Sequence, residues 1–524
     1  MSSSSHDPNL RTVSLRVDDR DVTVDAAGSL LDVLRGLGVR SAKDGCSPQG
    51  QCGCCTVWVD GQPRVSCVTP VSRVAGRTVT TLDTLPEREE WAAALCATGG
   101  TQCGFCTPGI VMRLAALEPE ARTPAAVGQA LLAHQCRCTG WNAILDAVDL
   151  VGSASAEPTT DRDLEAASRR ATIEGRAHQV VSPRVVLGEA GFAADTAPSD
   201  ALVALVAADG SWVVGESLAE ARRLTGKVQG RRTTIPVTWP VEPPTGEWVR
   251  TLRTTWVDPA PLETDSAWCR PGGEPVGPDG NGGAFGGKAS GARSEVARTA
   301  RRLADECGRP VLALWSREDS VRRGPKRPPL AIGLRADGSG VVRVARTPGV
   351  AAAIAAVAPF LEVEEVDLAG PPTSADVRGA GWVEAVVALG SLSDDPWPWL
   401  VSPEGARARA RIDDGAVRVE VECGEVLDEV VLRGYCSGAA HMALGWVRSE
   451  AISVDAAGEV HDLTMRSLGV LRAVDTPRVE IAVVPPTAEG PTGPVNGSDI
   501  VFAAVALAAW RSESFAPCWP TMRA

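Results

Sequence analysis

Ten of the fifteen cysteines in this 524-residue chain fall within its first 138 positions: Cys46, Cys52, Cys54, Cys55, Cys67, Cys96, Cys103, Cys106, Cys136 and Cys138. They follow an N-terminus with neither a basic flank nor an apolar run, so the crowding argues for metal ligation by thiolates rather than a disulfide framework. The spacing divides into two quartets. Cys46-x5-Cys52-x2-Cys55 with a distant Cys67 is one residue longer than the plant-type pattern for a [2Fe–2S] centre, where three thiolates come from one wrapped loop and the fourth from a neighbouring strand. Gly45, Gly50 and Gly53 suit such a wrap, because backbone amides must turn toward the sulfurs. Cys54 reads as a non-ligand. Cys103-x2-Cys106 and Cys136-x-Cys138 supply four more thiolates, just ahead of helices that start near Pro108 and Trp141, whose N-termini would face an anionic cluster. Structural zinc also takes four thiolates and is the alternative for either quartet alone; two quartets in tandem weigh against it.

The elements that must position these thiols are legible from local pattern. Leu10–Val17 and Asp21–Val24 read as strands, and Leu30, Leu31, Val33, Leu34 and Leu37 form one apolar helical face behind a Ser29 cap. Thr56–Val59 and Val65–Thr69 flank Asp60-Gly61, a tight-hairpin dipeptide, and the whole suits a small β-grasp domain. From Trp91 to Val148 the texture is helical, with starts at 91, at Pro108, at Pro124 and after Trp141. Residues 151–179 read as a linker in which 161–171 could form an exposed helix. Beyond it Val185–Phe192, Ala201–Val206, Ser211–Val214, Val311–Trp315, Val341–Val344, Ala416–Val421 and Val479–Val484 are strand-like, and 293–306 and 499–510 helical.

Composition sets outer limits. With 52 Lys+Arg against 65 Asp+Glu the formal charge is −13, which gives nucleic acid or an anionic membrane no electrostatic footprint. Hydrophobic residues at 44% and charged residues at 22% belong to a folding, globular chain. The most apolar stretches, Val350–Leu361 and Ile500–Trp510, fall short of the roughly 20 residues a membrane helix needs. The expected compartment is the cytoplasm.

KDGCSPQGQCGCCTVWVDG with VSCV, then TQCGFCTPGIV, then CRCTGW, closely resemble the iron–sulfur region of the molybdenum hydroxylases, the xanthine dehydrogenase and aldehyde oxidase family. The resemblance spans about residues 10–150. It implies that Cys46, Cys52, Cys55 and Cys67 hold one [2Fe–2S] cluster in a β-grasp fold, and that Cys103, Cys106, Cys136 and Cys138 hold another in a helical bundle. It also implies that Gln102 contacts the pterin through which electrons arrive. The rest is similar, more weakly, to the family's molybdenum subunit: VLGEAGFAADTAPSDALVA to its entry strand, NGGAFGGK at 281–288 to its glycine-rich loop, followed by GRPVLALWSRED, then RGAGWVE at 378–384 and AAHMALGWVRSE at 439–450. On that resemblance Gly282, Gly283, Phe285, Gly286, Gly287 and Arg378 are candidate cofactor-binding residues; an ordinary glycine turn and a surface arginine are the plainer readings. His441 and His461 have no partner spacing and read as structural or solvated.

Two departures stand out. Residues 182–524 are only around half as long as the family's molybdenum subunit, and GPVNGSDIVFAA at 493–504 has no match for the family's basic glutamate, with Asp499 merely nearby. The expected fold is α+β: a β-grasp [2Fe–2S] domain at 1–88, a helical-bundle [2Fe–2S] domain at 89–152, a linker at 153–180, and a mixed α/β region at 181–524 resembling a truncated molybdopterin-binding domain. The expected function is an electron-transferring component of a molybdenum-hydroxylase-type oxidoreductase with two [2Fe–2S] clusters, its catalytic residues unknown. FAD is expected only on a flavin-binding partner subunit, and molybdopterin either on this chain or on a further subunit. The competing readings are a self-sufficient hydroxylase of a small heterocycle or aldehyde, and a non-catalytic scaffold.

Overall fold

The computed structural model of the chain describes residues 12–151, 162–227, 235–278, 282–289, 294–488 and 490–523. The N-terminal tail, 152–161 of the expected linker and Asn281 lie outside the described residues. The first unit runs β1 (Thr12–Val17), β2 (Arg20–Asp25), α1 (Leu30–Gly36), β3 (Thr56–Val59), β4 (Gln62–Val65) and β5 (Thr78–Thr80). Its sheet has the order β2-β1-β5-β3-β4, with β1 and β5 parallel and the other neighbours antiparallel. Ser29 caps α1 through a reciprocal bond with Asp32, and Leu30, Leu31 and Leu34 are buried under the sheet. This is the expected β-grasp arrangement, with one shift: the second hairpin strand ends at Val65, and a single turn at Ser66–Val68 carries Cys67.

Four helices follow: α2 (Arg88–Thr98), α3 (Thr107–Leu114), α4 (Pro124–Ala130) and α5 (Asn142–Leu150). α3 and α4 carry proline in their first turn, where the missing N–H costs nothing. The next helix, α6 (Leu164–Gly175), corrects the reading of 161–171 as exposed. Ala166, Ala167 and Ala171 make a narrow apolar face, and Arg170 and Glu174 are fully buried as an ion pair one turn apart. That pair belongs to the core: Arg170 donates to Val426 O and Val495 O, and Glu174 accepts from the amides of Gly497 and Ser498.

The remaining chain is mixed: α7 (Pro183–Val186), α8 (Ala193–Thr196), β6 (Leu202–Val206), β7 (Trp212–Gly215), α9 (Leu218–Leu224), β8 (Arg250–Arg253), β9 (Ser266–Cys269), α10 (Glu295–Cys307), β10 (Val311–Leu314), α11 (Arg317–Arg323), β11 (Leu330–Leu334), β12 (Gly340–Ala345), α12 (Val350–Ala355), β13 (Leu361–Val366), α13 (Trp382–Gly390), β14 (Leu400–Val401), β15 (Arg407–Asp413), β16 (Ala416–Glu422), α14 (Glu429–Arg448), β17 (Val479–Val483) and α15 (Ser498–Ser512). They build three four-stranded sheets, β7-β6-β10-β9, β13-β12-β11-β8 and β14-β15-β16-β17. The expected strand at 185–192 is absent. Ser182 caps a turn started by Pro183, and Gly188 and Gly191 adopt positive φ, so the segment forms two helical turns instead. α14 and α15 pack together and against the third sheet, and the largest hydrophobic core runs from them into the β-grasp and helical units.

Candidate metal centres

All fifteen cysteines are unbridged, and the eight in the two quartets are buried. In the first quartet Cys46 lies against both Cys52 and Cys67, and Cys67 also lies against Cys55, so the four sulfurs follow one another in the order Cys52, Cys46, Cys67, Cys55. Backbone amides turn inward as the glycines anticipated: Gln49 and Gln51 N–H donate to Cys46 Sγ at 3.2 and 3.4 Å, and Cys67 N–H to Cys55 Sγ at 3.4 Å. Gly53 has φ +73°, and a Cβ there would stand 2.3 Å from the His134 ring, so only glycine lets the loop pass. Cys54 points at Cys52 O, 3.8 Å away, and is packed against Cys52 Sγ.

The second quartet consists of two pairs, Cys103 with Cys138, sulfurs 3.5 Å apart, and Cys106 with Cys136. Two thiolates on one tetrahedral metal with bonds of roughly 2.3 Å sit about 3.8 Å apart, so two such pairs suit two metal atoms. Cys106 is the residue that opens α3, and Thr139 Oγ1 lies 3.1 Å from Cys136 Sγ. Among the described residues no three His, Cys, Asp or Glu side chains gather about a single-ion position.

The electrostatics match crowded thiols awaiting positive charge. Contact with Cys52 and Cys67 holds the Cys46 thiol well below its ordinary value, and contact with Cys106 brings Cys136 down to about 7. Cys52 and Cys67 are pushed up by Cys46, Cys106 by Cys136 and Cys138 by Cys103, with burial adding to each.

The quartets are joined by a short connection. Gln135, adjacent to Cys136, donates its N–H to Cys52 O at 3.0 Å. His134, one residue further back, fills the space between the two folds with Nε2 3.1 Å from Thr56 Oγ1, and burial lowers its pKa to about 4.

The residues expected to bind a molybdopterin are arranged differently. Gly282, Gly283, Phe285 and Gly286 all have positive φ, but the space a Cβ would enter is occupied by protein: Glu263 at 2.7 Å, Arg137 at 2.6 Å and, at Gly286, Asp376 O at 2.0 Å. Gly287 meets Pro259 at 2.7 Å. Phe285 is fully buried beneath the Arg378 guanidinium, 4.1 Å above its ring. Arg378 is not a surface residue; burial lowers its pKa to about 10, and its nearest carboxylate is Asp499, 3.6 Å away. Asp499 also pairs with Arg176, which leaves it committed to two cations rather than placed as a base. Between Arg137, Pro259, Ala284, Arg327, Arg378 and Glu450 a cavity of about 20 Å³ remains, enough for a water molecule.

Two bidentate ion pairs fill what surrounds that cavity: Arg137 to Glu450 at 2.5 and 2.6 Å, and Arg327 to Glu384 at 2.6 and 2.8 Å. Gln102 is buried against α14 with neither amide atom hydrogen-bonded, and the three guanidinium nitrogens of Arg378 in the cavity wall likewise lack a hydrogen bond. Ligand pockets run to roughly 300 Å³ or more. The described residues therefore fit two thiolate-held clusters, and the space beside the glycine-rich loop is largely filled by the chain's own side chains.

Sequence reasoning missed Arg137, Arg317, Glu450, Gln49 and Gln51. Arg137 was in view, between two expected ligands. Gln49 and Gln51 clamp the first loop to the C-terminal region through Leu463 O, Met465 N and Arg466 N, contacts over 400 residues that no local pattern reveals.

Comparison with known proteins finds two iron–sulfur domains in the first 150 residues. Residues 10–82 match the 2Fe-2S iron-sulfur cluster binding domain family and 78–149 the [2Fe-2S] binding domain family. The xanthine dehydrogenase iron-sulfur-binding subunit of Escherichia coli O157:H7 is 35% identical over 126 residues, 23% of this chain and 79% of that subunit. The aldehyde oxidoreductase of Megalodesulfovibrio gigas is 37% identical over 147 residues, 26% of this chain but only 16% of that protein. The crystal structure of the aldehyde oxidoreductase from Desulfovibrio desulfuricans superposes with a TM-score of 0.68 at 15% identity, covering 95% of this chain and 97% of that one, a likeness of fold alone. Among the described residues no helix is long and apolar enough to cross a membrane.

Proposed function

This chain belongs to the molybdenum hydroxylase family and carries that family's two [2Fe–2S] domains, and from that premise we propose that it is an electron-relay component of a xanthine-dehydrogenase-type oxidoreductase. Cys46, Cys52, Cys55 and Cys67 hold one cluster and Cys103, Cys106, Cys136 and Cys138 the other. A [2Fe–2S] cluster supplies one-electron transfer when bound. The chain's own residues do the rest. The amides of Gln49, Gln51 and Cys67 donate to the sulfurs and stabilise their charge. Burial excludes water, and the Gln135 N–H to Cys52 O bond ties the two ligand sets at fixed separation.

The observation that carries this reading is the pairing of two crowded thiol quartets, each in its own fold, with a pterin region closed by its own side chains. Substrate oxidation is accordingly assigned to a molybdopterin-bearing partner and onward transfer to a flavin-bearing one. The test is electron paramagnetic resonance on the dithionite-reduced full chain, together with substrate assays. Two distinct reduced-cluster signals without intrinsic aldehyde or heterocycle hydroxylation are expected. Hydroxylation by the isolated chain would overturn the assignment of catalysis to a partner.

A further inference from the structure

The WSRED segment, which the relay reading leaves unused, places a cation behind the first quartet. Arg317 opens α11 and is fully buried, 272 residues from the loop it reaches. Its Nη2 donates to Gly45 O at 2.6 Å and to Leu262 O at 2.8 Å. Gly45 precedes Cys46, and the space a Cβ there would occupy touches Leu262 O at 3.2 Å and Cys52 Sγ at 3.0 Å, so the guanidinium shares a small volume with the sulfurs. Nε and Nη1 make no hydrogen bond. No carboxylate forms an ion pair with Arg317 among the described residues, unlike the buried arginines Arg137, Arg170 and Arg327. Burial pulls its pKa down, and Asp258 and then the sulfurs of Cys52, Cys46 and Cys54 oppose that. A buried guanidinium costs heavily unless something compensates it; Asp258, itself paired with Lys326 at 3.0 Å, and the first quartet's sulfurs are the groups that act on this one.

We infer that Arg317 is a positioning residue that sets the reduction potential of the Cys46 cluster from the C-terminal half of the chain. The inference rests on the ligand assignment proposed above. Taking up one electron adds one negative charge to the cluster with no proton required, so a fixed cation a short distance away favours the reduced state and raises the potential. Beside the second quartet, by contrast, the cation Arg137 is neutralised by Glu450. The Cys46 cluster is thereby made the better electron acceptor of the two, which gives transfer a direction.

The experiment is a redox titration of the full chain followed by electron paramagnetic resonance, on wild type, Arg317→Gln and Arg317→Lys, with iron and labile sulfide measured on each. Arg317→Gln should shift the reduction equilibrium of the first cluster at least tenfold toward the oxidised form, about 59 mV for a one-electron couple. The second cluster should stay in place, and Arg317→Lys should stay near wild type. Full cluster content with no shift, or an equal shift in both clusters, would overturn the inference. Should Arg317→Gln lose the first cluster, recovery of its iron in Arg317→Lys would support a requirement for charge, and loss in both variants would overturn it by showing a purely steric role. Absence of a first-cluster signal from wild type would instead refute the ligand assignment.

Discussion

The two halves of this chain keep family motifs to different degrees. In the first 150 residues the eight quartet thiols are buried, and Gly50 and Gly53 turn through positive φ in the loop that carries the first of them. In the second half the glycine-rich loop keeps its positive φ angles but presses against Glu263, Arg137, Pro259 and Asp376. The lesson is that a loop's conformation and its vacancy are separate properties. Gly282–Gly287 bends as a cofactor loop bends, while the volume is taken by the Arg137–Glu450 and Arg327–Glu384 pairs.

The largest effect should come from breaking one quartet. Cys46→Ser and Cys138→Ser are each expected to remove about half of the iron while leaving the other cluster's resonance intact, because the ligand sets sit in separate folds. Loss of both signals from either variant would show that the two folds load as one. Next in size is the clamp between the halves. Glu450→Gln strands the buried Arg137 charge and should cost about 3–5 kcal/mol, read as a lowered thermal midpoint at matched iron content. The exposed pair Arg302–Glu306 offers a control, and Glu306→Gln should cost well under about 1 kcal/mol. Comparable effects at the two sites would contradict the clamp.

Acid should separate the halves less strongly. His134 lies between the quartets and His441 lies in α14, and burial brings both pKa values to about 4. The unfolded chain, with values near 6.5, then binds protons that the folded chain refuses. Stability is fully present above pH 6.5 and drains as pH falls toward 4, by about 2 kcal/mol for each histidine at pH 5. His441→Gln should remove about half of that histidine-linked loss between pH 7 and 5; an unchanged slope would mean that His441 is protonated in the fold. The smallest change is expected at Gln102. With its amide unpartnered, Gln102→Leu should shift stability by no more than about 1 kcal/mol, in the stabilising direction if at all. A large loss would reveal a polar partner at that position.

The β-grasp and helical units were legible because their determinants are local: the Ser29 cap, Asp60-Gly61, Pro108, Pro124 and the cysteine spacing all act within a few residues. The closure of the second half was not, because it is made by contacts of high sequence separation. α14 escaped notice although it is the longest described helix. It is buried nearly all round, so no apolar stripe stands out, and Gly434, Gly438 and Gly445 interrupt it. Those glycines serve contacts: a Cβ at Gly438 would lie 1.6 Å from Cys138 O and one at Gly445 2.1 Å from Glu450 Oε1. The helix is shaped by the cluster segment beneath it.

The central claim is a two-cluster relay without a molybdenum site of its own. It is tested most directly by quantifying iron, acid-labile sulfide, molybdenum and zinc on the full chain, produced anaerobically in a host that makes molybdopterin and then separated from partner subunits. About four iron and about four sulfide per chain, with molybdenum and zinc far below one, is the expected result. One molybdenum retained per chain would contradict the account, as would zinc in place of iron.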